Sequence, residues 1–566
     1  MTNNLRMYLW MALALILFFN YQAWQADYGP KPDLTSATPG SVRPMKPGGD
    51  LAQEVPQATS TQQQPGAKAP IAATGAGAAT PAENAVDTGA SVVHVVTDVL
   101  DLDISTRGGT LQRVDLPKYE KVKGEPTPVR LENVDDPSSL YVLQSGLTGA
   151  GNDVPNHLAT YTAARSSYAL DSQGELRVPL TWTDNGITVT KTYVFRRGQY
   201  AIGIEYNIQN HSNSAWQAAQ YAQILRNDPR TKSSMFNFNA EKSQFHGPAI
   251  WDGTKYRKLD FSGSDNHLSI PVQNGWIAAL QHHFVTAIVP AKDEQFRFTL
   301  NGAGDEYRLA ATGPVHTVAA GSSQTFEETF FIGPKLQSAL AATGPELARV
   351  ADYGALYLLA EPLFWLLAKA HSVTGNWGVA IILITALLKL IFYPLSEASG
   401  RSMAKMKALA PRIKNLQETY KDDREKLGKA TMELYQREKA NPVAGCLPVI
   451  IQMPVFLAFY WVLLESVEMR QAPFAGWIHD LSQKDPYYIL PAIMAGAMLV
   501  QFKLNPSAAD PTQQKIMMIM PLVMSVTFAF FPAGLVLYWV TNTLLGIAQQ
   551  WNINRRIIGA TVAKRA

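Results

Sequence analysis

The chain has 566 residues, of which 47% are hydrophobic and 17% are charged, and its formal net charge is +3 at pH 7. The length fits two folded units joined by linkers, and so small a net charge argues against a nucleic-acid-binding protein. Cys446 is the only cysteine, so the chain cannot form an internal disulfide. We expect Cys446 to be a small buried apolar side chain.

The first 26 residues contain an apolar run, Met7–Phe19, which follows Arg6 and precedes Tyr21 and Trp24. A cleaved signal peptide has small residues near its cleavage site, whereas bulky aromatic residues are typical of the membrane interface. We therefore expect residues 1–26 to form an uncleaved anchor span with its N-terminus in the cytoplasm.

Residues 27–90 are rich in Pro, Gly, Ala, Gln, Ser and Thr and hold almost no large apolar side chains. Such a segment cannot bury enough apolar surface to offset the entropy that is lost on ordering. We expect a disordered, flexible linker, in which no binding motif is evident.

From Ser91 the apolar residues alternate with a period of two, which predicts β-strands. The clearest unit is Leu180–Phe195, where Asn185 and Gly186 separate two runs of β-branched and aromatic residues, the strongest short-range hairpin signal. Further alternating runs occupy residues 92–104, 200–208, 276–288, 296–300 and 325–332. Residues 91–342 are therefore predicted to form a large antiparallel β-sandwich.

The residues of this β domain do not assign it a chemistry. Its histidines and acidic residues are scattered, without the spacing of a catalytic triad or a metal site. Exposed aromatic side chains could bind a sugar, but aromatic residues of a hydrophobic core are the simpler interpretation. The tryptophans concerned are Trp182, Trp216, Trp251 and Trp276.

Residues 343–372 show leucines at helical spacing, interrupted by Glu361, Pro362 and Lys369. This pattern favours an amphipathic helix that lies on the membrane over one that crosses it. The core that follows, residues 373–555, holds five candidate spans at 377–395, 447–464, 488–502, 516–531 and 533–548. The last three would each cover roughly 23 Å of a hydrocarbon layer about 30 Å thick, so we expect them to thin the bilayer.

The basic residues predict how these spans are oriented. Eleven Lys or Arg lie in residues 396–445, and more follow in the tail, residues 556–566, whereas residues 467–486 hold only Arg470 and Lys484. By the positive-inside rule the first two segments are cytoplasmic and the third is external. With the anchor this gives six spans, both termini in the cytoplasm and the β domain on the outer side of the membrane.

The cytoplasmic segment, residues 399–440, has apolar residues at three-and-four spacing that stop at Asp422 and Asp423 and then resume. This pattern predicts a basic hairpin of two antiparallel helices; a solvated charged loop is the alternative. A hairpin of this charge could meet lipid headgroups, ribosomal RNA or an acidic partner.

Lys389 lies inside the first of the five spans, where a charge costs several kcal/mol. It lies roughly 9 Å from the cytoplasmic end of the span, so its side chain could snorkel to the interface. Polar residues in other spans favour a hydrated cavity instead, because several such groups can converge on one pocket. These are Thr385 on the same span, Gln452 on the next and Thr541–Thr543 on the last.

Several sequence stretches closely resemble one family of membrane proteins. They are Leu390–Lys405 (LIFYPLSEASGRSMAK), Asn441–Phe456 (NPVAGCLPVIIQMPVF), Arg470–Leu481 (RQAPFAGWIHDL), Asp485–Pro491 (DPYYILP) and Phe531–Tyr538 (FPAGLVLY). The family is the YidC/Oxa/Alb family of membrane protein insertases, and the anchor and large β domain match its Gram-negative form. The resemblance implies a helical membrane bundle, a five-span insertase core plus the anchor span, and a periplasmic all-β supersandwich of the sugar-mutarotase type.

The resemblance also implies a hydrophilic groove that opens to the cytoplasm and to lipid and holds one positive charge. That charge falls on Lys389, where many members carry Arg, and lysine lacks the bidentate fork of arginine. Trp539 stands where some relatives carry Tyr. With the polar residues above, the expected groove and substrate-contact residues are Thr385, Gln452, Phe456, Met494, Tyr538, Trp539 and Asn542.

The function that this resemblance implies is that of an insertase and chaperone for inner-membrane proteins, acting alone or with the Sec translocon. The expected partners are nascent membrane proteins, the translocon with its accessory subunits, the ribosome and lipid. We expect no nucleotide, cofactor or metal and no enzyme activity, since no Walker A motif or catalytic pair is present. A secondary transporter that uses Lys389 is the alternative, although the chain shows no internal repeat.

Overall fold

The structure is a computed structural model that describes residues 54–57, 91–149, 154–228, 245–263, 265–420, 423–438, 447–504 and 511–563. The predicted anchor, most of the predicted linker, Cys446 and the end of the basic tail lie outside these residues. The described residues divide into two compact units, which meet in sequence at Ala351 and Asp352.

The first unit is a β-sandwich. Its strands within the described residues are β1 (Val92–Val96), β2 (Asp101–Ser105), β3 (Thr110–Glu120), β4 (Pro128–Arg130), β5 (Tyr141–Thr148), β6 (Thr162–Ala163), β7 (Ser167–Ala169), β8 (Glu175–Asp184), β9 (Ile187–Arg196), β10 (Ala201–Asn210), β11 (Trp216–Asn227), β12 (Gly247–Trp251), β13 (Tyr256–Lys258), β14 (His267–Gln273), β15 (Trp276–Leu280), β16 (Phe284–Pro290), β17 (Gln295–Ala303), β18 (Glu306–Thr312), β19 (His316–Val318) and β20 (Ser323–Pro334). A short helix, α1 (Gln337–Thr343), follows β20.

The strands form two large sheets whose inner faces share one hydrophobic core. One sheet has the order β14-β17-β18-β11-β5-β3-β2-β1-β7, with β19 beside β11 and β4 beside β3. The other has the order β13-β12-β15-β16-β20-β10-β9-β8-β6. The pairing is antiparallel except for β1 with β7, which agrees with the predicted sandwich.

The predicted hairpin at Asn185 and Gly186 is confirmed. Strands β8 and β9 pair from Glu175 with Arg196 up to Asp184 with Ile187, so the loop has two residues. Both loop residues have positive φ, 48° at Asn185 and 78° at Gly186. Asn and Gly adopt this backbone conformation, with positive φ, more readily than other residues. The resulting turn matches the twist of the flanking strands.

Two of the predicted runs are each a pair of strands. Residues 92–104 fold back on themselves because the Thr97 hydroxyl accepts hydrogen bonds from the backbone N–H groups of Val99 and Leu100 and so forms a turn. Residues 276–288 likewise contain β15 and β16, which pair across a short turn. Period-two alternation continues through a tight turn, so the pattern alone does not locate it.

The core interpretation of the tryptophans is confirmed. Trp276 is fully buried and Trp251 nearly so. Trp182 and Trp216 are partly buried and pack against the same core. None of the four therefore forms an exposed aromatic platform of the kind that binds sugars.

The second unit is helical. Its helices within the described residues are α2 (Tyr357–Thr374), α3 (Trp377–Ile391), α4 (Tyr393–Thr419), α5 (Arg424–Arg437), α6 (Leu447–Glu465), α7 (Ile489–Leu504), α8 (Pro511–Phe528) and α9 (Ala533–Ala563). Helix α9 packs against α7, α3 and α4, and α2 packs against α3 and α6.

Several helices differ in their bounds from the sequence prediction, among them α8, which was expected over 516–531 and covers Pro511–Phe528. The helix expected over residues 343–372 begins only at Tyr357, since Glu346 and Gly354 adopt positive φ before it. The span expected over 377–395 ends at Ile391, and the chain bends by 58° before α4. Pro394 lies at the start of α4, where a proline is tolerated because its missing N–H needs no partner. Helix α9 continues well beyond residue 548.

The two helices predicted between residues 399 and 440 correspond to α4 and α5. Leu409 and Ile413 of α4 are buried against Leu434 and Tyr435 of α5. The side chain of Asp423 caps α5 by accepting a hydrogen bond of 3.0 Å from the backbone N–H of Lys426.

By length and apolar composition, no single helix among the described residues could cross a membrane, whereas the bent pair Trp377–Ile391 and Tyr393–Ser402 together could. Large apolar side chains are nevertheless exposed along the helical unit, for example Leu358, Leu390, Leu522 and Val526. In the described part of the sandwich, such exposure is limited to Val92, Val96 and Val122. The helical unit therefore exposes many more large apolar side chains than the sandwich does.

Candidate functional site

Lys389 lies in the last turn of α3, and its side chain is half-buried. A methyl group at Gly546 of α9 would lie 3.6 Å from Lys389 Nζ and 3.3 Å from Nε2 of Gln501 on α7. The ammonium group and the Gln501 amide therefore both approach the α9 backbone at Gly546. Among the described residues, no carboxylate forms an ion pair with it.

The start of α3 is fixed by a cap and a close contact. The Asn376 side chain accepts a hydrogen bond of 3.1 Å from the N–H of Val379 and donates one of 2.8 Å to the carbonyl of Phe474. Gly378 lies so close to Phe474 that a Cβ there would lie 2.1 Å from the ring. These contacts tie α3 to the loop after α6 and so set the direction from which Lys389 approaches α9.

A second polar group lies between α6 and α9. Gln452 Nε2 donates a hydrogen bond of 2.9 Å to Asn542 Oδ1, and the same amide interacts with the Tyr538 hydroxyl. Tyr538 is buried, while Gln452 and Asn542 are half-buried. This network joins three residues of the predicted site on two helices.

Aromatic rings pack beside this network. Phe456 contacts Trp539 edge to face, with a centroid distance of 4.7 Å, and stacks near Tyr538 at 5.9 Å. Phe528 of α8 lies 5.0 Å from Trp539. The predicted contact residues Phe456, Tyr538 and Trp539 therefore form one aromatic cluster, which links α6, α8 and α9.

Thr385 and Met494 are enclosed in the bundle. Thr385 is 1% exposed, and its hydroxyl donates a hydrogen bond of 2.6 Å to the carbonyl of Ile381 in its own helix. Met494 is completely buried in the core of the helical unit. In this conformation neither side chain can touch another polypeptide, whereas Lys389, Gln452 and Trp539 keep exposed surface.

Helix α9 aligns the two polar groups. Tyr538, Asn542 and Gly546 follow one another at intervals of four residues, so they lie on one face of the helix. Asn542 contacts Gln452 at one turn, and Gly546 approaches Lys389 at the next. One side of α9 therefore carries a polar stripe, formed by Tyr538 and Asn542, that ends at Gly546 beside Lys389.

Two residues of the candidate site, Gln501 and Gly546, were not predicted from the sequence. A glutamine near the end of an apolar span is the same signal that identified Gln452, so Gln501 could have been found. Gly546 has no side chain, and this lets Lys389 and Gln501 approach the helix backbone. This role is visible only once α3, α7 and α9 are packed together.

The loop between α6 and α7 contains two of the stretches on which the resemblance was based. Asp485 Oδ1 accepts hydrogen bonds of 3.0 Å from Trp477 Nε1 and from the Tyr487 N–H, and Oδ2 accepts one of 2.7 Å from the Leu490 N–H. Asp485 thus organises the loop and caps the start of α7. Within the described residues, no group of three or more His, Cys, Asp or Glu could hold a metal ion.

Comparison with known proteins shows which family both units of the chain match. Residues 92–366 match a family described as the YidC periplasmic domain, and residues 369–560 match one described as the 60Kd inner membrane protein. Membrane protein insertase YidC of Thioalkalivibrio sulfidiphilus is 46% identical over 98% of this chain and 99% of its own length. That of Methylococcus capsulatus is 43% identical over 98% of both chains.

A crystal structure of an active YidC insertase with its first transmembrane domain resolved covers 81% of this chain and 93% of its own, at 17% identity and a TM-score of 0.35. The two family matches together reach from residue 92 to residue 560, and the relatives match almost end to end. The chain therefore belongs to the YidC family of membrane protein insertases, inner-membrane proteins with a periplasmic domain.

Proposed function

We propose that this protein inserts segments of nascent membrane proteins into the inner membrane, with Lys389 as the positive charge of its groove. The observation that carries the proposal is the environment of Lys389, which lies beside the Gln501 amide and Gly546 without an acidic partner among the described residues. A half-buried cation without a counter-ion costs free energy that an arriving carboxylate would recover. The charge is thus available to a client.

Insertion then needs no external energy source. An acidic or polar segment of the client enters the groove, where Lys389 and the polar stripe of α9 lower its cost of desolvation. The apolar segment that follows moves into lipid along the third and fifth spans, α6 and α8, and hydrophobic transfer drives it. Short spans thin the bilayer and shorten the path.

The membrane arrangement that we propose has six spans. Helices α3, α6, α7 and α8 and the first part of α9 form the five-span core, and residues 1–26 form the anchor. Exposed apolar side chains on α3, α6, α7 and α8 support contact with lipid, because a water-facing surface rarely carries so many. Both termini and the α4–α5 hairpin lie in the cytoplasm, and the sandwich lies in the periplasm.

The proposed partners follow from these surfaces. The α4–α5 hairpin carries exposed Arg and Lys, among them Arg412, Lys414 and Lys426, which suit the ribosome or anionic lipid headgroups. Beside the Sec translocon the same groove would act as a chaperone for spans that leave the channel. The site residues proposed to contact the client are Gln452, Phe456, Trp539 and Asn542, with Thr385, Met494 and Tyr538 reached only when the helices separate.

The decisive experiment replaces Lys389 in cells that are depleted of their native insertase. Lys389→Arg, Lys389→Ala and Lys389→Glu would be scored by insertion of a small client with an acidic translocated tail. Lys292→Glu, the same change at an exposed lysine in the turn between β16 and β17 of the sandwich, serves as the control. We expect Arg to restore insertion, Glu to abolish it and Ala to reduce it most for acidic clients, because only the charge at the groove attracts the tail.

The levels of each variant in the membrane would be compared first, so that a folding defect is separated from a defect in insertion. If Lys389→Glu inserted the acidic client as well as the natural sequence does, attraction by this charge would be excluded. Equal losses of insertion for Lys389→Glu and Lys292→Glu would also exclude a specific role for the charge at Lys389.

A further inference from the structure

A short piece of the predicted linker is docked on the sandwich. Residues Glu54–Gln57 lie against Arg308 of β18. Arg308 Nη1 donates a hydrogen bond of 2.8 Å to the carbonyl of Glu54, and Nη2 lies 2.7 Å from Glu54 Oε2. Pro56, two residues further on, is buried. One guanidinium group therefore binds both the backbone and the side chain of Glu54.

Arg308 faces away from the main core. Its neighbours in sequence, Tyr307 and Leu309, point into the core of the sandwich, so alternation places Arg308 on the outer face of the sheet. In the register of the sheet Arg308 pairs with Leu225, which belongs to a small apolar cluster separate from the main core. The Arg308 side chain is nevertheless only 4% exposed.

This outer face holds further polar groups that are built into the sheet. Gln223, two residues before Leu225 on β11, is fully buried and donates a hydrogen bond of 2.7 Å to Gln144. Gln223 Oε1 and Arg308 Nε are buried and make no hydrogen bond with the described residues. Buried polar atoms without partners are rare in proteins, and here they leave this face with hydrogen-bonding capacity that no described residue uses.

We infer that the outer face of β18 around Arg308 is a binding site for an extended acidic peptide, and that Glu54–Gln57 is its resident occupant. A buried guanidinium without a counter-charge is strongly unfavourable, so a carboxylate is the group that this site recognises. Guanidinium also prefers carboxylate in a two-point contact, which here is made with the carbonyl and side chain of the same glutamate. The inference does not depend on the insertase function.

The test uses the full chain with Cys446→Ser and spin labels at Gln57→Cys and Thr183→Cys, both exposed positions. Electron–electron distances would be measured in nanodiscs for this chain, for Glu54→Gln, for Arg308→Gln and for Asp50→Asn. The last is a matched loss of one acidic charge four residues earlier in the same linker. We expect a narrow distance distribution for the parent and for Asp50→Asn, and a broad one for Glu54→Gln and Arg308→Gln.

Because Arg308 is buried, Arg308→Gln could broaden the distances by unfolding the sandwich. Glu54→Gln is therefore the deciding variant, since Glu54 lies outside the sandwich and its replacement leaves the sheet intact. A narrow distribution in Glu54→Gln, or a broad one in the parent, overturns the inference. In the Glu54→Gln chain the resident segment, residues 54–57, no longer occupies the site. A labelled peptide with the sequence of residues 51–60 should therefore bind to this chain and not to the chain that also carries Arg308→Gln. Absence of saturable binding to the Glu54→Gln chain would exclude a peptide site.

Discussion

Burial alone does not distinguish a structural lysine from a functional one in this protein. Lys191 is fully buried in the sandwich, yet its ammonium group donates hydrogen bonds of 3.0 Å to the carbonyls of Gly108, Gly109 and Ser145. Its donors are all used, and a ligand could gain nothing there. Lys389 is less buried but has no comparable set of acceptors among the described residues. The hydrogen-bond donors of the Lys389 ammonium group that have no acceptor among these residues, and not its degree of burial, are what indicate a functional residue.

Glu132 provides a pH test of the sandwich core. Burial raises the pKa of the Glu132 carboxyl from 4.5 to about 7, opposed by the hydrogen bond of 2.6 Å that Thr286 donates to it. As the pH rises, the unfolded chain loses this proton first, so the folded sandwich loses stability between about pH 4.5 and pH 7, by up to about 3 kcal/mol. Glu132→Gln removes this titration.

We therefore expect Glu132→Gln to be the more stable form above pH 7 and to depend less on pH between 5 and 8. Urea unfolding of the sandwich within the full chain, followed by protease resistance at each pH, measures this difference. Glu175→Gln, at a carboxylate that is 41% exposed, is the control for the loss of one acidic side chain from the surface of the sandwich. A profile for Glu132→Gln as steep as that of the natural chain would show that Glu132 is already ionised when folded.

The elements of this protein were predictable where local chemistry decides them. The Asn185-Gly186 turn follows from the backbone that these two residues favour, and the positions of β8 and β9 follow from it. The bend before α4 was not predicted, because the apolar run continues past Ile391 into Phe392 and Leu395. Composition measures the length of an apolar run, whereas the end of a helix depends on its last backbone hydrogen bonds.

In the candidate site, the sequence likewise predicts residues but not their packing. Lys389, Gln452 and Asn542 were proposed from the sequence because polar residues in apolar helices are conspicuous. Their arrangement could not be read from the sequence, since it depends on which turn of α9 faces each neighbouring helix. Contact of Gln452 with Asn542, and of Lys389 with Gly546, is set by the helix register that packing selects.

Gly546 is the place where this register can be tested. Gly546→Val would put its Cβ 3.3 Å from Gln501 Nε2 and 3.6 Å from Lys389 Nζ, with two further methyl groups beyond. Overpacking of this kind costs about 1–3 kcal/mol and would push Lys389 away from α9. We expect insertion of an acidic client to fall strongly while the protein remains in the membrane.

Gly496 of α7 is the matched control, because it is exposed and a Cβ there meets no atom within 4 Å. Gly496→Val should insert the client normally in the same depleted cells, and its abundance calibrates the effect of a β-branched residue in a helix. Normal insertion by Gly546→Val would mean that the Lys389 side chain does not need this close approach.

The whole molecule separates into a water-compatible unit and an apolar-surfaced unit. The sandwich encloses its aromatic residues and its buried charges, and its strands expose few large apolar side chains among those described. The helical unit reverses this pattern, since α3, α6, α7 and α8 all carry large apolar side chains on their outside. Apolar residues outside and polar residues between the helices are what a lipid environment selects.

Two exposed valines test this division directly. Val526 on α8 is 59% exposed and Val122 in the sandwich is 51% exposed, so the same change to aspartate removes a similar contact at each. An aspartate at the centre of a membrane helix costs about 2.5–3.5 kcal/mol on insertion scales, and at Val526, which lies toward the outer end of the expected span, it costs part of that. On a water-facing loop the same substitution stays within about 0.5 kcal/mol.

We therefore expect Val526→Asp to lower the amount of membrane-integrated protein several-fold and Val122→Asp to leave it unchanged. Carbonate extraction of membranes from cells that express each variant, followed by quantitative blotting, measures the integrated fraction. Equal integration of the two variants would mean that the outer face of α8 is in contact with water or protein. Since lipid contact along α8 is part of the proposed route for the client, such a result would also exclude this helix as the exit side of the groove.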